Sequence, residues 1–164
     1  MELTCAFTGH RPQSLPWGYN ENDNKCLSFK RRLTTTIHSL IQSGCIHFIS
    51  GMAIGFDMMS AEVVLQEKQI NPLITLECAI PCSNQSSKWK TESITRYNNI
   101  LHKADLVTIL QHEYTNDCMH KRNDYMVNKC DILLACFNGT PSGTAYTIKQ
   151  AENKNKKIII LSPI

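Results

Sequence analysis

The segment Ser142-Gly143-Thr144 has the residue types of an anion-binding loop. It follows an apolar run that extends from Cys130 to Phe137, and an alternating apolar and polar pattern begins directly after it. This order predicts a buried strand, a tight loop and a helix. The first N–H groups of a helix have no partners within the helix and favour an anion. The pattern favours a phosphate here; the alternative is an ordinary helix start with Ser142 or Thr144 as N-cap.

A second loop of this kind joins an earlier predicted strand and helix. Residues 50–57 read Ser-Gly-Met-Ala-Ile-Gly-Phe-Asp. Gly51 lets the backbone turn and Gly55 permits close approach of a ligand or a helix, so we expect Ser50, Gly51 and Gly55 at a bound phosphate. Asp57 falls in the first turn of the helix. It either stabilises the helix start or accepts hydrogen bonds from ribose hydroxyls.

Two arginines lie where they could neutralise that phosphate. Arg11 comes two residues after Gly9 at the end of the first predicted strand, and its guanidinium is a bidentate donor to phosphate or carboxylate. Arg122 and Asn123 belong to a basic cluster, residues 120–123, at the outward start of a later helix. The alternatives are a simple turn at Gly9 and solvated surface charges at Arg11 and in the cluster.

The elements that must position these loops alternate between strands and helices. We predict strands at 3–8, 45–49, 73–80, 105–110, 130–137 and 157–161, and helices at 26–43, from 58 onwards, and at 89–103, 120–129 and 144–153. This alternation predicts a mainly parallel sheet of about six strands covered on both faces. Ligands of such sheets bind beyond the carboxyl ends of the strands, where all the loops described above lie.

The loop at residues 13–25 is too polar for a strand and contains two aromatic residues, Trp17 and Tyr19. A long loop of this kind can act as a lid over a binding site. We therefore expect the rings of Trp17 and Tyr19 to be available for stacking on a base.

Length and composition indicate one globular domain spanning residues 1–164. A chain of this length buries about two-thirds of its unfolded surface and needs no covalent staples. The formal net charge of +3 is compatible with an anionic ligand in a local pocket. It is too small to favour nucleic acid, so the composition argues against a nucleic-acid partner.

The eight cysteines lie mostly in or beside apolar runs, and no CxxC pair occurs. No basic and then apolar export segment follows Met1, so we expect reduced, mostly buried thiols in a cytoplasmic protein. A zinc site at Cys78 and Cys82 would lack a second ligand pair, so we expect no metal and no cofactor. No apolar stretch approaches the roughly 20 residues of a membrane span, so we expect no membrane partner.

Four motifs together resemble the SLOG superfamily, which joins the DNA-processing protein Smf/DprA to the Lonely guy (LOG) cytokinin-activating enzymes. They are Thr8-Gly9-His10-Arg11, the loop at residues 50–57, Lys121-Arg122-Asn123 with Met126-Val127, and Ser142-Gly143-Thr144. In this order they cover nearly the whole chain, and they look most like the small stand-alone YpsA-like branch. The resemblance implies a Rossmann-like three-layer α/β/α fold, a nucleotide or ADP-ribose-like ligand in the cleft, and a homodimer.

The resemblance to LOG enzymes is incomplete at the residues that carry their chemistry. In those enzymes, an arginine that Arg122 matches and a glutamate serve hydrolysis of the N-glycosidic bond of a nucleoside monophosphate. Here Asn123 replaces a lysine, and Thr147 stands at the glutamate position. A missing acid or base costs about 10²–10⁴-fold in rate, so hydrolysis would require Asp57 or Glu62 to reach the ribose instead.

Three hypotheses follow from these motifs. The first is a nucleotide-binding or sensing module, with both glycine loops on the phosphate, Arg11 and Arg122 neutralising it and Asp57 on the ribose. The second is a nucleoside-monophosphate phosphoribohydrolase in which Arg122 and either Asp57 or Glu62 are catalytic. The third is single-stranded DNA binding in the manner of the DNA-processing proteins, against which the modest net charge counts.

Overall fold

The computed structural model describes residues 2–164. Within this range the chain forms one six-stranded sheet and five α-helices. The strands are β1 Leu3–Gly9, β2 Cys45–Ser50, β3 Thr75–Ile80, β4 Leu106–Ile109, β5 Ile132–Cys136 and β6 Lys157–Leu161. The helices are α1 Asn24–Gln42, α2 Phe56–Ile70, α3 Thr91–Lys103, α4 Cys118–Lys129 and α5 Gly143–Asn153.

The strand order fixes where a ligand can bind. The order across the sheet is β4-β3-β2-β1-β5-β6, and every neighbouring pair is parallel. The chain adds strands from β1 outward to β4 and then returns to place β5 on the other side of β1. The direction of winding therefore reverses between β1 and β5, and a crevice opens there beyond the carboxyl ends of the strands. The prediction of a Rossmann-like, parallel α/β/α fold is confirmed.

Buried residues form one cluster on each face of the sheet. The larger lies under α1, α2 and α3, where Phe7 of β1 stacks on Phe48 at a centroid distance of 5.8 Å and meets the edge of Phe56 at 6.1 Å. The smaller lies under α4 and α5 and includes Ala6 and Leu133. Neighbouring residues of β1 thus point to opposite faces, as the strand period of two requires.

Three boundaries differ from the prediction for local reasons. β3 begins at Thr75, because the Asn71 side chain accepts the Leu73 N–H at 3.1 Å and closes a turn before the strand. β4 begins after Asp105, whose carboxylate accepts the Leu76 N–H at 2.8 Å. α4 begins at Cys118, two residues before the predicted start.

The loop at residues 13–25 is anchored to the core by its tryptophan. The Trp17 side chain is buried, and its ring lies 5.4 Å from that of Phe29 in α1. The expectation that Trp17 is free to stack on a ligand is wrong, because the indole is the apolar anchor of the loop. Tyr19 is 63% exposed.

The cysteines have a structural role. All eight lie in the described part of the chain, buried and unpaired. Burial raises the pKa of Cys78 and of Cys136 to about 12, so both remain thiols at neutral pH. Among residues 2–164, no cluster of histidine, cysteine, aspartate or glutamate has an arrangement suited to a metal ion. Across the same residues, no helix has the length and apolar character that crossing a bilayer requires.

A buried carboxylate ties three strands to α4. Glu77 of β3 is 3% exposed and accepts hydrogen bonds from Thr108 Oγ1 at 2.9 Å, Tyr125 Oη at 2.5 Å and His47 Nε2 at 3.1 Å. Burial raises the pKa of this carboxyl, but the hydrogen bonds from His47, Tyr125 and Thr108 lower it further, so the pKa lies at about 2.

We predict that this carboxylate makes stability depend on pH below about 4.5. The folded-state pKa lies below the ordinary value of 4.5, so the stabilisation is complete above that value and is lost as pH falls towards 2. In urea unfolding between pH 7 and pH 3, Glu77→Gln should be less stable at neutral pH by on the order of 2 kcal/mol, and the difference should shrink on acidification. A difference that stays constant with pH would contradict this role.

Candidate functional site

A cavity of about 290 Å³ lies where the winding of the sheet reverses. Its lining comes from four segments, namely the residues after β1, the loop before α2, the start of α4 and the start of α5. Most of the predicted site residues are among those that line it: Gly9, Arg11, Asp57, Arg122, Asn123, Ser142, Gly143 and Thr144. Four turns that are distant in sequence therefore meet at one rim of the sheet.

The start of α5 offers free N–H donors to the cavity. Ser142 is the N-cap, and its Oγ accepts the Ala145 N–H at 3.2 Å. Among the hydrogen bonds of the described residues, none uses the N–H of Gly143 or Thr144. The two interpretations of this segment are therefore compatible, because the serine caps one donor and leaves two for an anion. Thr147 is fully buried and donates to the Gly143 carbonyl at 3.0 Å.

Arg122 is a buried cation with neutral partners. Only 3% of the residue is exposed, although the sequence led us to expect an outward position. Its Nε donates to Asn123 Oδ1 at 2.8 Å, and its Nη1 donates to the Gly51 carbonyl and, at 3.5 Å, to Gln85 Oε1. Within residues 2–164, no carboxylate lies within 4.0 Å of the guanidinium. Burial lowers the Arg122 pKa, Asp57 opposes that shift, and an arginine stays charged regardless.

Asp57 is a buried carboxylate with one oxygen left without a partner. The residue is 6% exposed, and Oδ2 accepts the Ala53 N–H at 3.3 Å. Oδ1 is inaccessible to solvent and has no hydrogen-bond partner among the described residues. Burial raises the Asp57 pKa, whereas the charges of Arg122 and Arg11 and the bond from Ala53 lower it. A buried acceptor of this kind costs about 1–3 kcal/mol unless something donates to it.

Arg122 and Asp57 therefore line one cavity as opposite charges without a direct ion pair. Burying two charges costs free energy that is recovered only through good partners. A guest with an anionic group near the guanidinium and the start of α5, and with hydroxyl donors near Asp57, would supply what both residues lack. Charged groups left in this condition in a crevice are typical of binding sites.

The glycines of the loop at residues 50–57 shape the site without lining it. A Cβ on Gly51 would lie 2.6 Å from Arg122 Nη1, so only glycine lets the guanidinium pack on this backbone. Gly55 has a φ of 105°, and a Cβ there would lie 2.7 Å from the His10 carbonyl oxygen. Both glycines act through neighbouring residues, whereas the sequence led us to expect them at the phosphate.

Ser50 and Gly9 also act through their neighbours. Ser50 is fully buried, and its Oγ donates to the Asp57 carbonyl at 2.8 Å and accepts the Met52 N–H at 3.2 Å. These bonds hold the start of α2, and hence the Asp57 side chain, in place. Gly9 lines the cavity, but a Cβ there would lie 2.3 Å from Phe56 Cδ2, so the packing of Phe56 is what requires a glycine.

Glu62 lies away from the cavity. Its carboxylate accepts a hydrogen bond from Arg96 Nε at 3.0 Å, on the wall of a separate groove of about 1000 Å³ between α2 and α3. That groove is larger than the cavity at β1 and β5, but its charged residues are paired with one another or exposed. Glu62 is therefore withdrawn as a carboxylate for a reaction on a bound nucleotide.

His10 is a site residue that the sequence did not single out. It is buried, lines the cavity, and its Nε2 accepts the Asn138 N–H at 3.0 Å. That bond requires an unprotonated Nε2 and places the ring proton of the neutral form on Nδ1. Burial lowers the His10 pKa, and the contact with Asn138 opposes this shift. Its place between Gly9 and Arg11 was the available signal, but a lone histidine does not reveal where its ring points.

Two solved structures share the fold at low sequence identity. One, described as showing the unique single-stranded DNA binding mode of DNA processing protein A from Helicobacter pylori, is 17% identical, with a TM-score of 0.64, over 96% of this chain and 64% of that one. The other, DNA processing protein A from Streptococcus pneumoniae, is 13% identical, with a TM-score of 0.65, over 97% of this chain and 50% of that one. The chain thus spans less than two thirds of either protein.

These neighbours correct the argument against a nucleic-acid partner. A protein with this fold is described by its single-stranded DNA binding, so a formal net charge of +3 does not exclude nucleic acid. Net charge is a whole-chain sum, whereas binding depends on the charge near the site, where Arg11 and Arg122 lie.

Relatives at higher sequence identity exist among bacteria. The UPF0398 protein BH1768 of Halalkalibacterium halodurans is 28% identical over 155 residues, which cover 93% of this chain and 82% of that protein. Residues 5–161 match the family model described as the YspA SLOG family. A match over nearly the whole chain shows that this protein belongs to the YspA SLOG family.

Proposed function

We propose that the protein binds a nucleotide or nucleotide-derived ligand in the cavity between the ends of β1 and β5. The phosphate would lie against the N–H groups of Gly143 and Thr144 and between the guanidinium groups of Arg11 and Arg122. The ribose hydroxyls would donate to Asp57. The observation that carries this proposal is the pair of buried, opposite charges, Arg122 and Asp57, which line one cavity and lack charged partners.

The ligand must satisfy both charges at once. Phosphate alone would neutralise Arg122 and accept from the start of α5, but it would repel Asp57 and leave Oδ1 without a donor. A nucleotide carries an anion and neutral hydroxyl donors a few bonds apart, which matches the two kinds of group in the cavity. The volume of about 290 Å³ is near the lower end of small-ligand pockets and suits one nucleotide unit.

Single-stranded nucleic acid is the second candidate ligand, favoured by the fold shared with the DNA processing protein from Helicobacter pylori. In that case the cavity would hold one nucleotide of a strand, and exposed cations at the rim, such as Arg11, would contact further phosphates. The two candidates differ in salt dependence, because each phosphate contact with a strand adds to the slope of log affinity against log salt.

We predict that Arg122→Gln weakens AMP binding by about 1.5–3 kcal/mol, since a charge-assisted contact to the phosphate is lost. Isothermal titration calorimetry measures the affinity. Arg31→Gln, an exposed arginine on α1 outside the cavity, is the matched control and should bind AMP as the wild type does. Equal affinities of the wild type and Arg122→Gln would remove Arg122 from the site.

We further predict that the protein binds AMP without releasing adenine. Glu62 lies elsewhere, Thr147 stands in α5 without a carboxylate, and among the described residues Asp57 is the acidic side chain lining the cavity. Chromatography of AMP incubated with excess protein should show no free base. Base release that disappears in Asp57→Asn would replace the binding function with a hydrolytic one.

A further inference from the structure

Two smaller cavities continue the nucleotide site past Arg11. Their volumes are about 160 and 330 Å³. Arg11 and Met119 line both of them and also line the main cavity. The three cavities therefore form one groove with the Arg11 guanidinium at its junction, and this groove is longer than a single nucleotide requires.

Aromatic side chains mark the extension. Trp89 lines both smaller cavities, together with Tyr19 in the first and Tyr114 in the second. The two tyrosines are 63% and 58% exposed, so their rings are not part of the core. The indole of Trp89 is held edge-on to Tyr97 at a centroid distance of 5.1 Å and an interplanar angle of 87°. A fixed indole flanked by two accessible phenol rings is an arrangement on which bases stack.

The charges along the extension suit a ligand with phosphates. Arg11 and Lys88 supply positive charge, and among the described residues that line these two cavities none is an aspartate or glutamate. The groove between α2 and α3 differs in this respect, because Glu62 and Glu92 line it. A cationic junction beside aromatic rings is the combination that single-stranded nucleic acids and linked nucleotides require.

One side chain connects the extension to the charged part of the site. Gln85 lines both smaller cavities, its Nε2 donates to Tyr97 Oη at 3.3 Å and to the Gly51 carbonyl at 3.4 Å, and its Oε1 accepts from Arg122. The amide thus fixes the tyrosine that supports Trp89 and the glycine that supports Arg122. The aromatic and phosphate parts of the groove are built on a common set of contacts.

We infer that Tyr19, Trp89 and Tyr114 form a base-stacking subsite for a second nucleotide unit, joined through a phosphate at Arg11 to the unit in the main cavity. The ligand class is thus two or more linked nucleotides. This inference rests on the proposed nucleotide site. The first unit binds through Arg122 and Asp57, and the second binds through ring stacking.

The test compares AMP with the 5′-phosphorylated dinucleotide pApA by calorimetry. The wild type should bind pApA at least tenfold more tightly than AMP, because one stacked base contributes about that factor or more. Tyr114→Ala and Trp89→Ala should each weaken pApA about tenfold and leave AMP unchanged, and Trp89→Phe should restore most of the loss. Tyr114 is exposed, so its variant carries little risk to folding; Leu73→Ala, exposed and outside all three cavities, is the control.

Tryptophan fluorescence gives an independent measurement. The chain has two tryptophans, and Trp17 is buried against Phe29 away from the groove. Quenching on titration therefore reports Trp89, and pApA should quench more than AMP does.

The possible failures are distinguishable. If AMP and pApA bind equally, or if the aromatic variants weaken both alike, the stacking subsite is wrong while the nucleotide site stands. If AMP does not bind and pApA binding is insensitive to Arg122→Gln, the proposed function is wrong.

Discussion

The guanidinium of Arg122 lies inside the protein against the carbonyl of Gly51, with no carboxylate beside it among the described residues. A charge in such a position is tolerated only when the surrounding groups are fixed in advance. Here the surroundings are polar atoms from three separate segments, the loop after β2, Gln85 after β3 and Asn123 of α4. The cation is thus held at the crevice with its positive charge still unmatched.

The sheet supplies the geometry that makes this arrangement possible. Because the winding reverses between β1 and β5, their carboxyl ends are adjacent and the loops that follow them face each other. The same reversal brings the start of α5 to the cavity that Arg11 lines. The backbone of the loop at residues 50–57 is itself unusual, since Met52 has a φ of 61° and is fully buried. Sparsely populated conformations of this kind are common where a loop must serve a site.

The sequence predicted the fold and the segments of the site, but not which side chains face inward. Strand and helix alternation is encoded in long apolar patterns, so the parallel sheet and the positions of both glycine loops were predictable. Arg122 was expected outside because its helix begins with charged residues. A spacing of four among Cys118, Arg122 and Met126, all buried, was the signal for its true orientation. Trp17 and Glu62 were misplaced because each found a partner distant in sequence, in Phe29 and Arg96.

The contact between positions 51 and 122 also bears on how the family can diverge. The two residues are 71 positions apart, yet a methyl group at the first would occupy space that the guanidinium at the second now fills. A lineage that keeps the arginine must keep the glycine, whereas one that replaces the arginine with a smaller side chain releases the glycine from that constraint. Substitutions at these two positions should therefore appear together across homologous sequences, as a trace of descent that marks which branches retained the same anion chemistry.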